Sequence, residues 1–285
     1  MNKAKSIYIS LYSTLLFLGV FLSLRALFTQ AFDLTWLGAV VALLPTAYMF
    51  GTLMTFRVAR TSSNLPIQIY AALIGGVTST VGFLFFEGSA LALFFGVGIG
   101  VIGFLLYDFW YSRFTRSSNT VLQLGNRLPS FELKDTQLGP VNSASFIGKP
   151  TLMIFFRGNW CPLCMAQLKE VAGQYKEIAE KGVEVALISP QPEANTQKLA
   201  KKFDVPYRFL TDEGNKVARQ LGIMNEDGTP AGLGLMGYES ETVLPTVLLT
   251  NAAGELVYID MTDNYRVRPE PDQFLKIIEE KGVAV

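Results

Sequence analysis

The sequence predicts an N-terminal four-helix transmembrane bundle followed by a C-terminal α/β domain built on one central sheet. Three observations predict it. Hydrophobic residues make up 50% of the chain, yet they crowd into its first 111 residues, and the remainder has the composition of a soluble protein. Beyond Gly125, short apolar runs alternate with helical patterns, the order expected of an α/β sandwich. The only two cysteines stand where one of these runs meets a helix.

Four stretches are apolar enough to span a bilayer: Ile7 to Phe28, Leu34 to Phe56 with Pro45 inside it, Ile67 to Phe86, and Ser89 to Tyr111. Each is close to the ~20 residues that cross the hydrocarbon layer. Arg25 lies near the end of the first, where it can snorkel. Lys3 and Lys5 would also suit a signal peptide, but no small-x-small cleavage site follows and three further spans do, so the first span is read as an anchor. Flanking charges alternate. Lys3 and Lys5 precede span one and Asp33 follows it; Arg57 and Arg60 follow span two, Glu87 span three, and Arg113 and Arg116 span four. The positive-inside rule then places both termini, with the soluble domain, in the cytoplasm. The alternative is the external or periplasmic face. Gly96 and Gly100 have the small-x-x-x-small spacing of close helix packing; a pocket for quinone or lipid is the second reading. Asp108, the one acid within a span, is expected at the membrane interface.

Composition narrows the chemistry. Twenty-four basic side chains balance 24 acidic ones, so no nucleic-acid footprint is present. There is no histidine, which removes Cys-His and Ser-His catalysis and most zinc and haem ligation. Two cysteines supply only half of a thiolate metal site. No glycine fingerprint of a dinucleotide site is present, so no cofactor is expected and reducing equivalents must come from a partner.

The polar residues from Ser112 through Ser117-Ser118-Asn119-Thr120 to Leu124 read as a linker, and the soluble domain runs from Gly125 to Val285. Phe131 to Lys134 alternates as a strand, and Gly139-Pro140 marks a turn. Thr151 to Phe156 is a buried strand. The helix after Cys161 ends near Lys181-Gly182. Val183 to Ile188 is a strand, Glu193 to Phe203 a helix, Tyr207 to Leu210 a strand and Glu213 to Leu221 a helix. Thr246 to Thr250 and Glu255 to Asp260 form a hairpin, and Pro271 to Lys281 closes the domain as a helix. The glycine-rich stretch Gly222 to Thr242 has no clear period and reads as a lid, a binding surface or a disordered insertion.

The chemistry concentrates in Arg157-Gly158-Asn159-Trp160-Cys161-Pro162-Leu163-Cys164. Pro162 suits the first helical position, which puts Cys161 at the N-cap, where free N–H groups and the positive end of the helix dipole favour its thiolate. Cys164, one turn on, is within reach of a disulfide with it. Strand, turn and helix carrying C-x-x-C is the arrangement of a thiol–disulfide redox centre.

These features resemble the thioredoxin-like superfamily and, within it, the redoxin branch of the alkyl hydroperoxide reductase/thiol-specific antioxidant (peroxiredoxin-like) type. Three segments carry the resemblance: Leu128-Pro129-Ser130-Phe131-Glu132-Leu133 with the run to Gly148-Lys149-Pro150, the W-C-P-x-C motif, and Leu244-Pro245-Thr246 opening a strand. The tail from Asp263 to Pro271 is also similar to redoxins with that motif. The resemblance implies a thioredoxin-like fold, Cys161 as attacking thiolate, Cys164 as resolving thiol, and Pro245 as a cis-proline whose backbone is a platform for substrate. It implies a protein or small-molecule disulfide, or a hydroperoxide, as substrate, and an external thiol reductant such as a thioredoxin system. Two departures from peroxiredoxins stand out: Cys161 occupies the place of the threonine three residues before the second cysteine, and no arginine lies near the Pro245 strand. Arg157 is read either as a thiolate partner or as solvated or carboxylate-paired, and Arg266 and Arg268 first as surface residues, with approach to the site from the far loop as the second reading. The function expected is a membrane-tethered thiol–disulfide oxidoreductase. A thiol peroxidase is the alternative, and a scaffold or redox sensor without turnover the third reading.

Overall fold

The computed structural model describes residues 2–55, 59–116 and 118–282, and they fall into two compact units. Phe56 of the expected second span, the flanking Arg57, and Ser117 of the polar stretch lie outside the described residues.

One unit holds α1 (Asn2–Thr29), α2 (Leu34–Thr55), α3 (Pro66–Phe85) and α4 (Ala90–Tyr111), all long and apolar enough to cross a membrane. Small residues let them touch backbone to backbone: a Cβ on Gly75 would stand 2.4 Å from the amide nitrogen of Ala42. Gly96 and Gly100 do the same work in α4, meeting Ser79 and Ala42. Helix α4 is widened to π geometry over Phe94–Gly103 and Tyr107–Tyr111, a departure that hydropathy does not register. Asp33 is more than a flanking charge. Its carboxylate accepts from the backbone N–H of Thr35 at 2.7 Å and of Ser89 at 3.1 Å, tying two helix starts together. Asp108 is buried in the last turn of α4.

The other unit is built on a seven-stranded sheet. Its strands are β1 (Glu132–Asp135), β2 (Gly139–Asn142), β3 (Thr151–Phe155), β4 (Glu184–Ser189), β5 (Arg208–Thr211), β8 (Thr246–Thr250) and β9 (Leu256–Asp260), in the order β2-β1-β5-β4-β3-β8-β9. A separate two-stranded ribbon pairs β6 (Met224–Asn225) with β7 (Thr242–Val243). Strands β3, β4 and β5 are parallel, and the others join antiparallel. The parallel strands are linked by α5 (Pro162–Gly173) with α6 (Tyr175–Glu180), and by α7 (Glu193–Phe203). The short helix α8 (Lys216–Gln220) and the closing helix α9 (Pro271–Glu280) complete the unit. Every residue of β3 and β8 is buried, as expected of central strands covered on both faces. Pro140 is tolerated because β2 is an edge.

Local chemistry moved several boundaries. The turn expected at Gly139-Pro140 comes earlier, because Asp135 Oδ1 accepts from Gln137 and Leu138 N–H and turns the chain there. The helix expected to run from Cys161 to Lys181 breaks at Gln174, after Gly173, a poor helix former. The helix expected from Glu213 starts as a 3₁₀ turn, since Gly214 and Asn215 take positive φ; Asp212 then caps α8 through the N–H groups of Val217 and Ala218. Residues 114–116 and 118–124, read as linker, pack on the sheet unit: Phe114 N–H bonds Asp263 O, and Leu122 enters the core. Residues 59–61 belong to the same unit; Thr61 N–H bonds Arg266 O at 3.0 Å.

Candidate active site

Strand β3 ends at Phe155, and the motif follows as a turn into α5. Cys161 is the N-cap residue with extended backbone (φ −89°, ψ 108°), and Pro162 takes the first helical position. The Cys161 carbonyl accepts the first helical bond, from Met165 N–H at 3.0 Å. Both cysteines are reduced. Cys161 is 3% exposed and Cys164 fully buried.

Gly158 sets the turn. Its φ is +148°, and a Cβ there would stand 2.8 Å from Trp160 Nε1, so only glycine lets the indole fold over the turn. Arg157 stacks its guanidinium on Trp160 at 4.8 Å and donates from it to the Gly228 carbonyl. Its own carbonyl accepts from Thr242 Oγ1 at 3.0 Å. Asn159 N–H donates to Gln191 Oε1 at 2.8 Å, and Asn159 Oδ1 accepts from the Tyr238 hydroxyl. Asn195 Nδ2 donates to the same hydroxyl at 3.0 Å. The stretch from Gly222 to Thr242 is therefore a folded cap: β6 and β7 close its base, and Gly228, Tyr238 and Thr242 bond it to the motif. At its tip Leu235 is 96% exposed.

Electrostatics favour Cys164 over Cys161. Burial opposes ionisation of the Cys164 thiol. It is outweighed by a hydrogen bond from the Cys161 thiol, the Arg268 charge, the Arg157 backbone N–H on the sulfur and the Arg157 charge, which together pull Cys164 down to about 6. Cys161, which donates to that sulfur and is itself buried beside the Cys164 charge, is pushed well up. The pair thus shares one proton and holds one negative charge. The sequence places the thiolate on Cys161, at the helix start. In the structure the Arg157 and Arg268 charges act on both sulfurs, and the hydrogen bond from Cys161 with the Arg157 backbone N–H favours charge on Cys164.

The arginines are where sequence reasoning falls short. Arg266 and Arg268 are buried, not superficial. Arg116 also reaches in: Nη2 donates to the Pro245 carbonyl at 2.7 Å and Nη1 to Thr246 Oγ1 at 3.5 Å, so an arginine does stand at the Pro245 strand, brought from residues outside it. Pro245 lies at the motif end of the sheet, since the next residue, Thr246, pairs with Phe155. Its peptide bond is trans: no cis bond occurs among the described residues. Leu244, between β7 and β8, donates its N–H to Ile223 O at 2.7 Å. Gln167, one turn beyond Cys164 on α5, is a buried polar residue with no sequence signal.

Fold and site together define a thiol-redox protein, with a two-cysteine centre at a helix start on a mixed sheet. The chain belongs to the AhpC/TSA family, whose model matches residues 124–259. It is 32% identical over 158 residues to peroxiredoxin Q, chloroplastic, of Sedum lineare, a match covering 54% of this chain and 77% of that one. It is 25% identical over 126 residues to the thiol-disulfide oxidoreductase ResA of Bacillus cereus, covering 44% and 69%. Against further peroxiredoxin Q chains the match spans about half of their length. Among solved structures, peroxidoxin BcpB from Mycobacterium tuberculosis is similar with a TM-score of 0.46 and 19% identity, over 56% of this chain and 97% of that one. Arg116, Arg266 and Arg268 all lie outside the matched segment.

Proposed function

We propose that this protein is a membrane-anchored thiol–disulfide oxidoreductase that cycles Cys161 and Cys164 between dithiol and disulfide. The observation that carries the reading is the pair itself: two adjacent free thiols at a helix start, with the charges of Arg157 and Arg268 favouring a thiolate. The Cys164 thiolate attacks one sulfur of the substrate disulfide. The departing substrate thiolate takes the Cys161 proton. Cys161 then attacks Cys164, closing the protein disulfide and releasing the second substrate thiol. An external thiol reductant, such as a thioredoxin system, restores the pair.

A second reading is hydroperoxide reduction, with a sulfenic acid on Cys164 resolved by Cys161. It draws on Arg116 at Pro245 and on the relatives named peroxiredoxin Q. Offering a protein disulfide, hydrogen peroxide and an alkyl hydroperoxide separately to the reduced protein decides between them. Under the leading reading disulfide reacts fast and peroxide slowly, Cys164→Ser abolishes turnover, and Cys161→Ser traps a mixed disulfide on Cys164. Fast peroxide reaction promotes the second reading. Mixed disulfide trapped on Cys161 in Cys164→Ser restores the roles expected from sequence.

We also infer a multi-pass anchor in residues 1–111, with the redoxin part, residues 125–285, on the cytoplasmic face. The charges flanking the four apolar helices support it. A membrane-impermeant maleimide offered to intact cells tests the side. The target is Leu235→Cys, at the exposed cap tip, in a chain lacking the native cysteines. Labelling from outside inverts the topology.

A further inference from the structure

Arg268 lies in the segment between β9 and α9 and is 4% exposed. Its Nη1 reaches the neighbouring Val267 carbonyl at 3.4 Å. Nε and Nη2 are buried and, among the described residues, have no hydrogen-bond partner. Those two N–H groups share one edge of the guanidinium plane and point the same way, which is the fork that receives both oxygens of a carboxylate. A buried charged donor left without an acceptor is costly, so an unfilled fork points to an occupant.

Among the described residues no carboxylate hydrogen-bonds that edge. The charges acting on the cysteine pair are those of Arg157 and Arg268, with no Asp or Glu among them. The nearby acids Asp260 and Asp263 act on Arg116 instead. Gln167 Nε2, one turn past Cys164, is a second buried donor without an acceptor. In the dithiol state one thiolate faces two guanidinium ions. Oxidation removes it: Cys–S⁻ and Cys–SH form the S–S bond, release one proton and pass two electrons to the substrate. Two buried cations then lose the thiolate's charge, and no Asp or Glu among the described residues is one of the charges acting on the pair.

We propose that the Nε–Nη2 edge of Arg268, with Arg157 beside it, is a carboxylate subsite next to the Cys161–Cys164 couple, and that the disulfides this protein reduces carry a carboxylate close to their sulfur. The subsite rests on the dithiol–disulfide cycle proposed above. A carboxylate binds the disulfide state more tightly than the dithiol state, because the thiolate competes for the same charges.

The test uses the full-length protein in detergent with two small disulfides, 3,3′-dithiodipropionate and its neutral diamide. A charge-assisted pair predicts kcat/KM about ten- to a hundredfold higher for the dicarboxylate. Arg268→Met slows both substrates by weakening the thiolate but slows the dicarboxylate more, so that the ratio of the two kcat/KM values falls to about one, and Arg268→Lys, which keeps the charge without the fork, gives a ratio in between. Free acetate, at constant ionic strength, lowers the reduction potential by about 30 mV per tenfold rise above its Kd in the wild type and leaves Arg268→Met unmoved. Equal rates on both disulfides in the wild type overturn the proposal, as does a dicarboxylate-to-diamide ratio that Arg268→Met leaves as in the wild type. An acetate effect without a substrate preference leaves a free-anion site and overturns the substrate assignment. If Arg268→Met does not fold, the wild-type substrate ratio and acetate dependence decide. Failure of the pair to form any Cys161–Cys164 disulfide is separate, and removes the redox cycle together with the subsite.

Discussion

The sharing of one proton between the cysteines makes a quantitative prediction. A thiol titrating at about 6 is about nine-tenths ionised at pH 7, whereas an ordinary cysteine near 8.5 is about one-thirtieth ionised. The reduced protein should therefore show one thiolate by absorbance at 240 nm across pH 7 to 8, with its inflection near 6. Alkylation should be flat above pH 7 and fall about tenfold per pH unit well below the inflection. Cys161→Ala removes the thiol donor while Cys164 stays buried. A hydrogen bond to a charged group is worth about 1.5–3 kcal/mol, which corresponds to a rise of about one to two pK units. The variant's inflection should thus move to between about 7 and 8, and its thiolate at pH 6.5 should largely disappear. Wild-type inflection at 8 or above would refute the electrostatic reasoning. So would an unchanged inflection in Cys161→Ala.

Three further outcomes test the surrounding structure. Gly158→Ala forces a residue with φ of +148° and a Cβ 2.8 Å from Trp160 Nε1, so thermal stability should drop by about 1–3 kcal/mol and the Arg157–Trp160 stack should open, read as a slower thiol reaction. Tyr238→Phe removes the hydroxyl that joins Asn159 to Asn195; losing about 1 kcal/mol of cap closure should raise cysteine alkylation by iodoacetamide several-fold with little change in melting temperature. Gly75→Val drives a branched side chain into the Ala42 backbone, and the detergent-solubilised chain should lose at least about 1–3 kcal/mol of stability or fail to fold.

What the sequence made legible is what short spacings encode. Cys161 at the N-cap, Pro162 after it and Cys164 one turn on follow from four consecutive residues, and the structure places them so. The four apolar stretches are equally local, and their helices fall within a few residues of expectation. The arginines were not legible, because nothing near Arg268 in sequence signals burial. That burial is created by partners far along the chain, as the Thr61–Arg266 bond illustrates. Arg116 was hidden by its polar neighbours, which resemble a linker until Phe114 and Leu122 are seen to pack. The cap escaped because β6 and β7 are two residues each, too short to show a period. The charge around the cysteine pair was hidden for the same reason: the helix start is a local feature, whereas Arg268 reaches Cys161 and Cys164 only through the fold.

The absence of histidine and the presence of arginine around the cysteines have a consequence for tolerance to acidity. Guanidinium groups stay charged throughout the biological range, so the bias toward thiolate has no protonation switch of its own. Acid can silence this centre only by protonating the sulfur. A proton gradient across a membrane would leave the chemistry nearly as fast on its neutral side as on its mildly alkaline side. Reactivity here is tuned once, by folding, and not continuously by the medium.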